Sequence, residues 1–310
     1  MATLPKAKII VIAGPTASGK TDLSVMLAKK YGGEIVSADS RQVYRGMNIG
    51  TGKATLREQG GIPHHLLDVA SPKRTFTAAH YRKQGRRAIA NILKDRKVPI
   101  VVGGTGFYID ALLGDAPLPD IRPNPALRKK WERRSAPELF ALLQKKDPRR
   151  AAEIDRHNKR RLVRALEIIA ATGAPIAPRG PLRSQYEILF IGLRPDPATL
   201  RKKIHDRLMS RLKRGMVAEV RRLHEKEGVG WKRLDDLGLE YRFVSRYLRG
   251  LMDRNEMVVE LERAINHYAK RQMTWFKKNP GMHWITGPES AEPLVKKFLA
   301  EPQQKTAPRG

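Results

Sequence analysis

The run Gly14-Pro15-Thr16-Ala17-Ser18-Gly19-Lys20-Thr21 fits the pattern G-x-x-x-x-G-K-[ST]. These residue types suit the wrapping of an anion. Glycines let the backbone turn its N–H groups inward around phosphate oxygens. Lys20 adds a point charge, and the Thr21 hydroxyl can hold magnesium. The flanking sequence supplies the context this motif needs. Lys8–Ala13 is a β-branched, apolar run that reads as a buried strand, and Thr21–Tyr31 has helical spacing with Leu23, Met26 and Leu27 on one face. A helix opening at the loop adds the favourable field of its N-terminus. The implied chemistry is binding of a phosphate or diphosphate, not ATP in particular. A nucleotide hydrolase normally places a magnesium-binding Asp at the end of a later apolar strand, whereas Pro99–Val102 runs into Gly103-Gly104-Thr105-Gly106.

A second reactive group is Asp39, in Ser37-Ala38-Asp39-Ser40-Arg41-Gln42-Val43-Tyr44, directly after the short strand pattern Glu34–Ala38. In a parallel α/β sheet all strand C-termini open on one edge. Asp39 is therefore expected to face the phosphate loop and Thr105. A carboxylate there can bind magnesium or take a proton from a nucleophile. A turn or helix-capping Asp is the plain structural alternative, and residue types alone leave the two open. His64-His65 lacks further ligands and does not read as a metal site. Trp275 and Phe276 share an apolar helix face with Ile265 and Tyr268, which predicts core packing rather than base stacking.

The elements that must position these groups alternate strand and helix over the first third. Phe76–Lys97 has helical spacing, and Val98–Val102 is a third strand. Short apolar strands separated by helices predict a parallel sheet covered on both faces. Four prolines within Asp115–Pro125 then break the pattern, and helical segments follow at Leu127–Arg134, Pro137–Lys146 and Asn158–Thr172. A second Pro/Gly cluster, Gly173–Pro181, precedes a return to strand pattern at Tyr186–Leu193, and Pro197–Arg214, Met216–Lys226 and Asp253–Phe276 are helical by spacing. The expected fold is α/β: a P-loop-type parallel sheet core (1–114 and 186–300) with an inserted, basic, mainly helical domain (115–185). A polar tail, 301–310, is expected to be disordered.

The 310 residues carry 61 Lys+Arg against 31 Asp+Glu, a net charge of +30. Residues 128–164 hold fourteen basic and five acidic side chains, and residues 201–222 hold nine and two. Two such runs point to a nucleic-acid partner. The absence of cysteine excludes disulfides, thiolate zinc sites, Fe–S ligation and thiol catalysis. No segment has the length of a membrane span, and the N-terminus lacks a secretory signal, so a cytoplasmic protein without membrane association is expected.

Four stretches, Gly14–Thr21, Asp39–Tyr44, Gly103-Gly104-Thr105-Gly106-Phe107-Tyr108 and Lys270-Arg271-Gln272-Met273-Thr274-Trp275-Phe276, together resemble the signatures of the tRNA dimethylallyltransferase (tRNA isopentenyl transferase) family. Arg160-Arg161-Leu162-Val163-Arg164-Ala165-Leu166-Glu167 resembles that family's insertion motif. The resemblance implies transfer of dimethylallyl from its diphosphate to the exocyclic amine of the adenosine 3′ of the anticodon, in tRNAs reading codons that begin with U. It implies magnesium as cofactor, and the tRNA anticodon stem-loop and dimethylallyl diphosphate as partners; a monomer is the default expectation, with the sequence leaving oligomeric state open. Asp39 corresponds to the general base, Thr16 and Thr105 to active-site positions, and Arg207 to an arginine on the diphosphate. Asp39, Ser40, Arg41 and Gln42, with Arg161, Leu162, Val163, Arg164 and Ala165, fall in tRNA-contacting stretches. Ile154-Asp155-Arg156-His157-Asn158 departs from the family's I-H-P-N-D, and Gly238-Leu239-Glu240-Tyr241 stands where a Gly-Tyr signature is usual.

The residues suit that chemistry. An adenine amine is a poor nucleophile, and a positioned base typically contributes ~10²–10⁴-fold. The loop N–H groups, Lys20, magnesium on Thr21 and Arg207 would stabilise charge on departing diphosphate. Three alternatives remain on sequence grounds: a P-loop kinase of a small metabolite, an isopentenyl transferase acting on free adenine nucleotide, and a non-enzymatic RNA-binding protein.

Overall fold

A computed structural model describes residues 6–114, 121, 124–177 and 184–302. The strand β1 (Lys8–Ala13) and helix α1 (Lys20–Tyr31) flank the phosphate loop, and β2 (Gly33–Ser37) follows at once. Next come α2 (Leu56–Gln59), β3 (His64–His65), α3 (Ala78–Lys94), β4 (Val98–Gly103) and α4 (Gly106–Leu113). Four helices form the helical insertion: α5 (Pro125–Glu132), α6 (Ala136–Lys146), α7 (Pro148–Glu153) and α8 (Lys159–Thr172). After β5 (Glu187–Leu193) the chain forms α9 (Pro197–Lys213), α10 (Met216–Glu225), α11 (Trp231–Leu237), α12 (Leu239–Leu248) and α13 (Arg254–Phe276). It closes with β6 (Met282–Ile285) and α14 (Ala291–Ala300).

The six strands form one parallel sheet in the order β3-β2-β4-β1-β5-β6. Ile10 of β1 lies beside Ile100 of β4 and Leu189 of β5. Because side chains alternate across a strand, Ile9 and Val11 enter a core with Ile89, Ile92, Ile109 and Leu112 from α3 and α4. Ile10 and Ile12 face the opposite way, onto Leu23 and Leu27 of α1 and Val295 of α14. Burial on both faces explains why β1 reads as a continuous apolar run.

Two strands lay outside the sequence reading. His64-His65 is a two-residue strand pairing with Ile35 and Val36. The His65 ring binds the Glu34 carboxylate at 2.7 Å, and Lys97 binds its other oxygen at 2.5 Å. No cluster of metal ligands occurs among the described residues, nor is any helix there long and apolar enough to cross a membrane.

The chain divides into two compact units, Met1–Gly114 with Ser184–Gly310, and Asp115–Arg183. In the first, α9 to α13 pack a second apolar cluster around Val43, Tyr44 and Met47. The other unit has its own core, including Trp131, Leu139, Leu143, Leu162 and Ile169. The expected disordered tail lies largely outside the described residues, as does part of each Pro/Gly cluster bounding the insertion.

Candidate active site

Three neighbouring strands, β2, β4 and β1, end at the same sheet edge and deliver Asp39, Thr105 and the phosphate loop there. The Ala38 N–H donates to Val102 O at 2.7 Å, and the Thr105 N–H returns to Ala38 O at 3.1 Å. The Thr105 hydroxyl accepts the Ser40 N–H at 3.2 Å. Such close approach leaves no room for a side chain at Gly103, where a Cβ would lie 2.1 Å from Ala38 O. One oxygen of Asp39 accepts the N–H groups of Arg41 (2.7 Å) and Gln42 (3.2 Å), which fixes the carboxylate on its own turn. The second oxygen accepts no hydrogen bond among the described residues. The charge of Asp39 favours the protonated forms of both Lys20 of the loop and Arg207 of α9.

The loop leads into α1 through Gly19, which has φ of 88° and provides no side-chain cap. The first N–H groups of α1 are thus left for another acceptor. The Lys20 ammonium donates to Pro15 O at 2.5 Å and lies 3.5 Å from the Ser18 hydroxyl. Burial, and after it the neighbouring Arg207, bring its pKa down to about 7 against the opposing charge of Asp39. Arg207 of α9 donates to Gly52 O at 3.2 Å and approaches the Thr16 hydroxyl at 3.5 Å. Burial and then Arg211 bring its pKa down to about 10. Lys20 and Arg207 repel one another, and a bound anion would relieve that repulsion.

Gln272 of α13 joins two of these loops. Its carbonyl accepts the Thr16 N–H at 2.9 Å and its amide donates to Gly104 O at 2.9 Å. It is only 5% exposed. A polar residue on the buried face of α13 was the sequence signal for it. Tyr268, one turn earlier, sits against Thr105, and burial pushes its hydroxyl up to about 12. Phe276 is buried and Trp275 packs edge-on to Phe107 at 6.5 Å, consistent with core packing.

A family model described as IPP transferase matches residues 42–279. The chain belongs to this family. It is 41% identical over 302 residues to tRNA dimethylallyltransferase 1 of Geotalea daltonii, covering 96% of each chain. It is 38% identical over 304 residues to the tRNA dimethylallyltransferase of Carboxydothermus hydrogenoformans, covering 95% of this chain and 97% of that one. Among solved structures, the tRNA isopentenylpyrophosphate transferase of Bacillus halodurans superposes with a TM-score of 0.71 at 35% identity, over 95% of this chain and 96% of that one. A eukaryotic dimethylallyltransferase acting on tRNA gives 0.77 at 26% identity, over 94% and 77%.

The IPP transferase signatures do not all present their side chains to a ligand. Ser40, Arg41 and Gln42 lie part-exposed beside Asp39 at the sheet edge. In α8 the expectation that the whole stretch from Arg161 to Ala165 contacts RNA needs correction. Leu162, Val163 and Ala165 are at most 5% exposed and pack inside the helical unit. Arg164 approaches Glu167 at 3.4 Å and donates to Ile121 O at 2.9 Å. Glu167 is 2% exposed and also holds Arg128 through two bonds of 2.7 and 2.8 Å. Arg161 is the exposed member of this stretch.

Thr21 is exposed in the first turn of α1, and its hydroxyl makes no hydrogen bond among the described residues. That hard oxygen donor beside a phosphate loop fits magnesium. The ion typically takes one or two protein oxygens and fills its shell with phosphate oxygens and water.

Proposed function

We propose that this protein transfers the dimethylallyl group of dimethylallyl diphosphate to the exocyclic amine of the adenosine 3′ of the anticodon in tRNA. The observation that carries the reading is the unshared Asp39 oxygen on the same sheet edge as Lys20 and Arg207. A base and a diphosphate-binding set share one edge in a chain of the IPP transferase family. The named relatives are enzymes of tRNA. The kinase and free-nucleotide readings leave the basic helical insertion without a role.

The adenine amine attacks the allylic carbon as the bond from that carbon to the diphosphate oxygen breaks. Asp39 takes the amine proton as the new C–N bond forms, and diphosphate leaves. The leaving group gathers charge where the loop N–H groups, Lys20 and Arg207 meet it, an arrangement that stabilises the transition state electrostatically. Thr105 orders Ser40 and the turn that carries Asp39. Thr21 would hold magnesium, which when bound would supply further neutralisation of charge on the leaving group. The target base must leave its stack to reach this edge, at a cost of a few kcal/mol. Exposed arginines such as Arg161 supply phosphate contacts that offset part of it. We place the reaction in the cytoplasm, where tRNA substrates reside.

The test supplies magnesium and radiolabelled dimethylallyl diphosphate with either unmodified tRNA or AMP. Label entering tRNA alone is the expected result. Label in AMP alone, or phosphoryl transfer from ATP to a small metabolite with no prenyl transfer, overturns the assignment.

A further inference from the structure

The segment between β2 and α2 has no regular structure, yet its carbonyls hold the guanidinium assigned above to the diphosphate. We infer that Glu219 of α10 is a positioning residue for Arg207, acting through the backbone of residues 48–52; the inference rests on the proposed function. Glu219 is only 6% exposed. One of its oxygens accepts the N–H groups of Asn48 (2.8 Å) and Ile49 (2.7 Å). The other accepts the Gly50 N–H (3.0 Å) and the Tyr241 hydroxyl (2.8 Å). No cation pairs with it among the described residues. Three successive N–H groups converging on one carboxylate form an anion-binding nest, here filled by the protein's own side chain.

The same turn presents its carbonyls to α9. Gly50 O accepts Arg211 at 3.2 Å, and Gly52 O accepts Arg207 at 3.2 Å and Gln42 at 3.4 Å. Arg211 is held in turn by Glu240 at 2.9 Å. Beyond its 3.5 Å approach to Thr16, Arg207 makes its side-chain hydrogen bond to Gly52 O among the described residues, while Glu240, Asp39 and Glu58 act on it through charge alone. The fit is tight: at Gly52, where φ is +57°, a Cβ would lie 2.3 Å from Arg207 Nη2 and 1.9 Å from Arg211 Nη2. A carboxylate gathering the N–H groups of this turn therefore sets where its carbonyls point, and so where Arg207 points.

The experiment is a double-mutant cycle on the full chain, read by calorimetric binding of inorganic diphosphate and by kcat and KM for dimethylallyl diphosphate. Glu219→Gln replaces one accepting oxygen with an amide that faces two donors. It should weaken diphosphate binding about 10- to 100-fold while leaving tRNA affinity unchanged. On an Arg207→Ala background the same change should add less than about twofold, because the guanidinium it orients is gone. Should Glu219→Gln prove unstable, Tyr241→Phe removes a hydrogen bond that holds the Glu219 carboxylate without touching Arg207, and should show the same coupling at smaller amplitude. Independent, multiplicative losses in both cycles, or equal loss of tRNA and diphosphate affinity, overturn the inference and leave Glu219 a purely structural residue. Wild-type label transfer tests the functional reading separately.

Discussion

Lys20→Met should make the ligand-free protein more stable. The ammonium is desolvated and faces Arg207, and its pKa falls from 10.5 to about 7. That fall corresponds to about 5 kcal/mol of unfavourable charging in the folded state. Methionine keeps much of the apolar stem but loses the donors to Pro15 O and Ser18 Oγ, which offsets about 1–3 kcal/mol. The net gain is about 2–4 kcal/mol near pH 7. The pH dependence follows from the same numbers. Unfolded chain binds the Lys20 proton up to pH 10.5 and folded chain only to about 7, so wild-type stability rises with pH across that window. Urea unfolding at pH 6, 8 and 10 should therefore show the variant's advantage shrinking as pH rises. Inorganic diphosphate at about 1,000 times Kd should reverse the order, since it then stabilises wild type by about 4.1 kcal/mol and the variant far less. A variant less stable than wild type at pH 7, or an advantage that does not change with pH, refutes the reasoning.

Asp39→Ala should cut turnover in the label-transfer assay by about 10²–10⁴-fold, with tRNA affinity in a filter-binding assay nearly unchanged. Gln272→Ala strands the Thr16 N–H and Gly104 O, at about 1–3 kcal/mol for each group left buried without a partner; a lower melting temperature together with weaker diphosphate binding is the expected pair of results. Arg161→Ala should weaken tRNA binding and reduce the slope of log K against log salt by about 0.7–0.9. Arg164→Ala should instead lower the unfolding midpoint of the helical unit, because it uncovers the buried Glu167.

Much of the site was readable because its signals are local. The phosphate loop announces itself in eight consecutive residues, and β1, β2 and β4 by unbroken apolar runs. Asp39 follows from one topological rule about strand ends. The helix α8 was also legible in part, since Leu162, Val163, Leu166 and Ile169 repeat at the spacing of a buried stripe. That stripe argues against RNA contact by those side chains, and the resemblance alone had placed them at the interface.

Residue order and type determined that a glycine-rich loop would join β1 to α1, that a carboxylate would stand at a strand end, and that the chain would carry a strongly basic surface. They did not reveal β3 and β6, which have two and four residues and depend on neighbouring strands for their hydrogen bonds. Nor did they reveal the Arg207–Gly52 and Glu219–Ile49 contacts, which join positions 155 and 170 residues apart. By type Arg207 is one arginine on a basic helix, and Glu219 one carboxylate on another. Burial removes water from both, so each must take the partners that folding brings to it. That selection exists only in the tertiary structure.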